Sequence, residues 1–456
     1  MKLIKYFLIF AITFSFLTQE KISAQTDSPS EYTVEEILVT ARKRTESIQD
    51  VPVAVSALSI SQIERGNIQR VQDLEKLVPN VEMSDMAFAG GAISAGIRGL
   101  TFDDLEKKRD KVKSIGYWTP QIPKKYGGMG LSLIEFAQIS GILGSSPIGL
   151  YLFNCQAPDA GNMEILIEYG TNYQKDKFLK PLLAGEIRSC FSMTEPDFAG
   201  SNPIYMGTSA IKKGDKYILN GNKWYTSSAE GSSFAIVMAI TNPKDNNKYL
   251  RASQIIVPCD SKGFSLVRKI PVMGDEGEGY FSHSEISYDN VEVSEKNLLG
   301  DEGYGFKIAQ SRLGPGRIHH CMRWIGICER SFDMMCKRAA TRELSPGKYL
   351  GEKQLIQKMI SERRVEISAA KLLVMDVANK IEKFGSKKSK VEISMIKFYC
   401  ANVLKRVIDD AIQIYGGLGM SDDIILSHFY RHERAARIYD LSLIHISEPT
   451  RLGMIS

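Results

Sequence analysis

Phe191-Ser192-Met193-Thr194-Glu195-Pro196, followed by Gly200-Ser201-Asn202, is the stretch on which this chain turns. Met193-Thr194 forms the end of an extended segment whose backbone amides and Thr194 hydroxyl are able to face a flat heteroaromatic ring. Pro196 stops regular strand pairing directly afterwards. Gly200-Ser201 then allows a polar ligand group to approach the backbone closely. A solvent-exposed strand end with a turn would carry the same string, so the sequence on either side has to decide.

Upstream, residues 101–188 are patterned as helices: Leu133 to Leu143, Asn162 to Tyr169 and Tyr173 to Leu183 carry apolar faces separated by Gly and Pro breaks. Downstream, 189–298 is strand-rich. Tyr217 to Gly221, Phe234 to Ile240, Gln254 to Val257 and Val291 to Val293 alternate or run apolar between turn residues, and Asn220-Gly221 is expected as a hairpin turn. Residues 299–440 read as long amphipathic helices, with Ile393, Ile396, Cys400, Val403, Val407, Ala411 and Ile414 three or four apart and Gly416-Gly417 as the stop. The expected fold class is multidomain α+β: an N-terminal helical domain, a middle β-sandwich or barrel domain and a C-terminal four-helix bundle.

Composition excludes little. The 456 residues are 43% hydrophobic and 24% charged, enough for several cores and two to four domains. A net charge of +5 with both signs interspersed gives nucleic-acid binding no support. The seven cysteines all fall at or after Cys155 with no CxxC pair, and Cys321, Cys328 and Cys336 suit buried helix positions, as expected in a reducing compartment. His428 and His432 are four apart, but no third ligand or HExxH pattern accompanies them, so no metal is expected. Gly416-Gly417-Leu418-Gly419 follows a helix pattern and is no dinucleotide fingerprint.

The Phe191–Pro196 run resembles the flavin-contacting signature of the acyl-CoA dehydrogenases, and Trp224-Tyr225-Thr226 is similar to that family's second flavin-contacting strand. Lys125-Tyr126-Gly127-Gly128-Met129-Gly130 and Phe153-Asn154-Cys155-Gln156-Ala157-Pro158 resemble the same family. The resemblance implies FAD as cofactor, contacted by Phe191, Met193 and Thr194, by Trp224 stacking on or shielding the ring, and by Thr226 donating a hydrogen bond to it. It implies that Arg342 and Gln354 reach the FAD of a neighbouring subunit, with Gln413, Gly416 and Gly417 contacting it again, and hence a homo-oligomer, dimer or tetramer. The segment Ser345-Pro346-Gly347 is one residue longer than the family pattern and lacks its aromatic, which weakens the match at Arg342. Arg317 falls where the family places an arginine near the CoA, and Ser201 where the thioester arm is held. Asn202 and the extra Asp197-Phe198 depart from the commonest pattern there.

By the same resemblance, the catalytic base is a carboxylate just after the last bundle helix, and counting on from Gly416-Gly417 the matching position is Asp440. The implied reaction removes the α-proton of an acyl-CoA to Asp440 and the β-hydride to FAD, giving a trans-2-enoyl-CoA, with electrons passing to an electron-transfer flavoprotein. Leu441-Ser442 stands where the family has a Gly turn. Residues 441–456, with Ser442 to Arg451 as their signature, resemble translated sequencing-adaptor sequence and are expected as an artefactual or disordered tail.

The first hundred residues read differently. Residues 1–24, with Lys2 and Lys5, an apolar run from Tyr6 to Leu17 and Ile22-Ser23-Ala24, resemble a cleavable export signal whose core is too short to span a membrane. Residues 25–100 resemble the start of a TonB-dependent receptor plug. Glu35 to Ala41 is similar to its partner-binding box, followed by Ile48 to Ile60, Val71 to Val81 and the glycine-rich Ala89 to Gly99. The alternating ten-residue strands of a membrane barrel do not follow. An abrupt join near Leu100-Thr101 is expected, as in an assembly chimera. The enzyme portion is expected in the cytoplasm, with export and a TonB partner only if the fusion is genuine. The competing function is a fragment of an outer-membrane receptor.

Overall fold

A computed structural model of the chain describes residues 102–439 continuously, preceded by four short strand segments. The signal, most of the plug-like segment, Asp440 and the tail from Leu441 lie outside the described residues. Two units separate, Met1–Asn67 and Ile68–Ser456. The first contains the antiparallel pair β1 (Leu38–Val39) and β2 (Glu46–Ser47), and the second begins with the pair β3 (Met83–Asp85) and β4 (Ile93–Ala95).

Helices α1 (Phe102–Ser114), α2 (Leu133–Gly144) and α3 (Asp159–Tyr169) and a helical run over 172–184 make the first domain. Ser132 caps α2 reciprocally with Glu135, satisfying two of the amides that a helix start leaves open.

The middle domain is an eight-stranded, mainly antiparallel sheet. In chain order its strands are β5 (Ser189–Ser192), β6 (Ser209–Lys213), β7 (Lys216–Ser227), β8 (Phe234–Ile240), β9 (Ala252–Pro258), β10 (Phe264–Lys269), β11 (His283–Ser294) and β12 (Leu298–Leu299). In space they run β10-β11-β7-β6-β8-β9-β12, with β5 parallel to β8. The unbroken apolar run of β8 has a direct cause. Phe234 and Ile236 pack with Met163, Leu166 and Leu182 of the helical domain, while Ala235 and Val237 enter the core enclosed by the sheet with Cys190, Leu219 and Tyr288. A strand covered on both faces has no polar side to alternate with.

The expected hairpin at Asn220-Gly221 is corrected. Both residues lie inside β7, and the chain reverses at Gly214-Asp215 between β6 and β7. Gly221 marks a close approach: a Cβ there would fall 2.5 Å from the Thr208 hydroxyl, and the β7–β11 register shifts beside it.

In the C-terminal domain, α4 (Gly305–Thr341), α5 (Gln354–Phe384) and α6 (Lys390–Tyr415) are the three long helices among the described residues, joined by the short α7 (Leu426–Glu433). The α6 stripe from Ile393 to Ile414 is buried as the spacing requires, against Trp324, Ile325 and Cys328 of α4 and Val374 and Val377 of α5. Helix α2 crosses α4 at backbone contact, because a Cβ on Gly326 would sit 2.0 Å from the Gly141 carbonyl oxygen. This crossing ties the first domain to the bundle.

Candidate active site

The strand β5 ends at Ser192, one residue before the segment of interest, and Met193-Thr194 continues beyond it. Two backbone-directed bonds fix Thr194. Its hydroxyl donates to the Trp224 carbonyl (2.8 Å), and the Trp224 amide donates to the Thr194 carbonyl (3.0 Å). The two stretches singled out in the sequence are thus stitched together edge to edge. Met193 packs near Met206, Met238 and Ala309. Phe191 lies under the Arg312 guanidinium, 4.2 Å from the ring centroid, and Arg312 donates to Asn162 of α3 (3.2 Å).

A β-bulge decides which way the second stretch faces. Opposite Glu285 of β11, strand β7 carries both Trp224 and Tyr225, with Tyr225 in the left-handed region at φ 48°. The extra residue breaks alternation, so Lys223 and Thr226 both point inward while Trp224 stays half-buried and Tyr225 is exposed. Thr226 therefore meets Ser192 (3.0 Å between hydroxyls), which also accepts from the Tyr288 hydroxyl (2.9 Å). Thr226 and Ser192 thereby share one hydrogen bond within the sheet.

Beyond Thr194 the loop 195–208 forms a cleft lined by Met193, Thr194, Phe198, Gly200, Pro203 and Tyr205. A Cβ on Gly200 would stand 3.1 Å from the Thr194 methyl, the close approach expected of that glycine. Ser201 is half-buried on this loop, and Asn202 turns it through a bond from its amide to the Ala199 carbonyl. Glu195, which sequence reading passed over, is buried and accepts from the Gly207 (2.6 Å) and Thr208 (3.0 Å) amides and from Lys223 (2.7 Å). Its only sequence signal was a lysine inside an otherwise strand-like run.

The remaining site candidates form a second group. Arg342, Gln354, Gln413, Gly416 and Gly417 are all exposed. They surround one apolar cluster at one end of the bundle, built from Met335, Leu350, Ile356, Ala411, Ile414 and Tyr415. Gly416, at φ 65°, terminates α6 as the sequence indicates. Arg317 is half-buried on α4.

Asp440 lies outside the described residues, but the residue before it is firmly held. The Tyr439 hydroxyl accepts from Arg323 and from the Trp324 indole (3.1 Å each), and Lys397 donates to the Ala436 carbonyl (2.5 Å). Arg323 grips Glu433 bidentately. Burial alone would push the Glu433 carboxyl up, but Arg323 and His432 override it and hold it well below the ordinary carboxylate range. His428 and His432 stack on one another, and no group of three metal-binding side chains gathers among the described residues.

A helical domain, a β-domain and a helical bundle, with a peptide edge and a half-exposed tryptophan beside a cleft, define a flavoprotein dehydrogenase architecture. The acyl-CoA dehydrogenase N-terminal, middle and C-terminal domain profiles match residues 98–186, 190–291 and 303–440, and the chain belongs to the acyl-CoA dehydrogenase family. Among its relatives, Mycobacterium tuberculosis FadE2 is 42% identical over 74% of this chain and 82% of its own length. Acyl-CoA dehydrogenase family member 11 of Gallus gallus is 41% identical over 77% of this chain, which spans 45% of the chicken protein. A solved Mycobacterium abscessus structure titled as an acyl-CoA dehydrogenase superposes with TM-score 0.74 at 35% identity, over 79% of this chain and 91% of its own.

FAD is the cofactor of this family, and the cleft fits it. The Thr194 amide has no acceptor among the described residues, and Trp224 offers a half-exposed aromatic face beside it.

Proposed function

We propose that this chain catalyses α,β-dehydrogenation of an acyl-CoA thioester. The observation that carries this is the reciprocal Thr194–Trp224 pairing, which joins the half-buried Trp224 to Thr194 at the cleft and leaves the Thr194 amide without an acceptor among the described residues. FAD, when bound, supplies the two-electron acceptor. Asp440 takes the α-proton onto its carboxylate as the α,β double bond forms, and the residue before it, Tyr439, is anchored by Arg323 and Trp324. Arg317 suits a CoA phosphate through its planar fork, and Ser201 faces the thioester arm. The substrate class is acyl-CoA, and the electrons leave to an electron-transfer flavoprotein.

The second group of residues supports a homo-oligomer. Arg342, Gln354, Gln413, Gly416 and Gly417 are exposed at the bundle end, available to a neighbouring subunit's FAD. Helix α5 exposes Val365 and Leu372, and α6 exposes Val391, Met395 and Phe398, an apolar surface suited to a second copy. The test is direct. The purified chain, supplied with FAD, should be yellow and should bleach anaerobically on addition of an acyl-CoA. A folded protein that stays colourless overturns the proposal.

A further inference from the structure

Lys223 is the odd residue of the β-domain. Its side chain is 0% exposed and Glu195 beside it only 4%, so an ion pair sits where the sheet otherwise buries uncharged groups. Burial pulls the Lys223 amine down to about 8, against the opposing pull of Glu195. Such a pair contributes little net stability over apolar residues of the same volume, so its retention calls for another reason. The second bond of the amine supplies one: Lys223 donates to the Met193 carbonyl (2.8 Å) as well as to Glu195 (2.7 Å).

The Met193–Thr194 peptide is trans. In a planar trans peptide the carbonyl of one residue and the N–H of the next point in opposite directions. Drawing the Met193 oxygen inward to Lys223 therefore turns the Thr194 N–H outward. That is the amide without a protein acceptor at the cleft edge. Lys223 points inward in alternation with Tyr217 and Leu219, while its neighbour Trp224, paired to Thr194, stays half-buried.

We infer that Lys223 is a positioning residue for the flavin, clamping the Met193 carbonyl so that the Thr194 amide is fixed as a donor to the bound ring, with Glu195 as its counter-ion and as the tie to the loop 195–208. This rests on FAD occupying the cleft. The two partners then have separable roles. Glu195 holds the loop through the Gly207 and Thr208 amides, and Lys223 alone holds the peptide.

The test compares Lys223→Met, Glu195→Gln and the double variant in the full chain, by FAD titration and by the visible flavin spectrum and reduction potential of the loaded proteins. Glu195→Gln keeps one acceptor oxygen, enough for either the Gly207 or the Thr208 amide but not both, and the Lys223 amine still donates to the Met193 carbonyl. Its flavin spectrum and potential should match the unaltered protein, since the Thr194 amide keeps its orientation even where the loosened loop weakens FAD uptake. Lys223→Met should bind FAD about tenfold more weakly, as for loss of one fixed donor, with a shifted flavin band and potential. The double variant leaves no buried charge and should fold even if Lys223→Met does not, and it should show the same tenfold loss and spectral shift. Unchanged flavin properties in both Lys223→Met-containing proteins, or equal changes of spectrum and potential in Glu195→Gln, overturn the inference while leaving the FAD assignment standing. Failure of the unaltered chain to take up FAD overturns both.

Discussion

Removing Glu433 alone should be far more damaging than removing it together with Arg323. Glu433 is 4% exposed and Arg323 17%, the two are bidentate, and Arg323 also donates to the Tyr439 hydroxyl. Glu433→Leu leaves a buried guanidinium whose remaining partner is a neutral phenol, and loss of one member of a buried pair costs about 3–5 kcal/mol. Arg323→Met/Glu433→Leu removes both charges and should fall within about 1 kcal/mol of the unaltered chain, giving a coupling energy of at least about 2 kcal/mol. Because the folded Glu433 carboxyl lies below its unfolded value, its contribution is complete above about pH 4.5 and is lost as the pH falls below that. Urea unfolding followed by far-UV circular dichroism at pH 7 measures Glu433→Leu, the companion single variant Arg323→Met and the double variant. Additive losses in the double variant would refute the view that the pair is a mutually dependent unit anchoring Tyr439.

The same folded chain should lose stability on mild acidification. Burial, reinforced by His432, lowers the ring pKa of both His283 and His428 to about 4. The unfolded chain therefore takes up protons first at these rings and at His319, which burial lowers to about 3. Each costs about 1.4 kcal/mol per pH unit from about pH 6.5 toward pH 4. Glu164 and Asp159, raised by burial to about 7 and about 6, take up protons first in the folded chain and offset part of the loss. His283→Gln should remove about 1.4 kcal/mol per pH unit of that loss between about pH 6 and pH 4.5 in stabilities taken across the range, and an unchanged profile would contradict it. Two glycines of α4 should behave oppositely. Gly326→Ala drives a methyl into the Gly141 carbonyl and should lower stability by about 1–3 kcal/mol. Gly316→Ala, with nothing within 4 Å, should raise it by up to about 1 kcal/mol, both read by urea midpoint.

Much of the fold was legible because its signals are local. The α6 stripe, the Gly416 stop and the apolar run of β8 follow from period and punctuation, which depend on neighbours a few residues away. Asn220-Gly221 misled for the same reason: a turn dipeptide and a glycine required by a contact with Thr208 look alike until the facing strand is known. The site divided along this line. Thr194 and Trp224 were found by their strings. Glu195, Lys223 and the Arg323–Glu433–Tyr439 network were not, since a charged residue in a strand or helix is ordinarily solvated and only burial reveals it as a partner.

The sequence by itself determined the family and the order of helical, β and bundle domains, and it singled out the stretch 191–194. Tertiary structure decided which way those residues face. A single extra residue opposite Glu285 puts Thr226 on the same inner face as Lys223 and leaves Trp224 half-buried and Tyr225 exposed. Side-chain direction along a strand depends on the register with its neighbour, and register is a relation between segments some sixty residues apart rather than a property of either one.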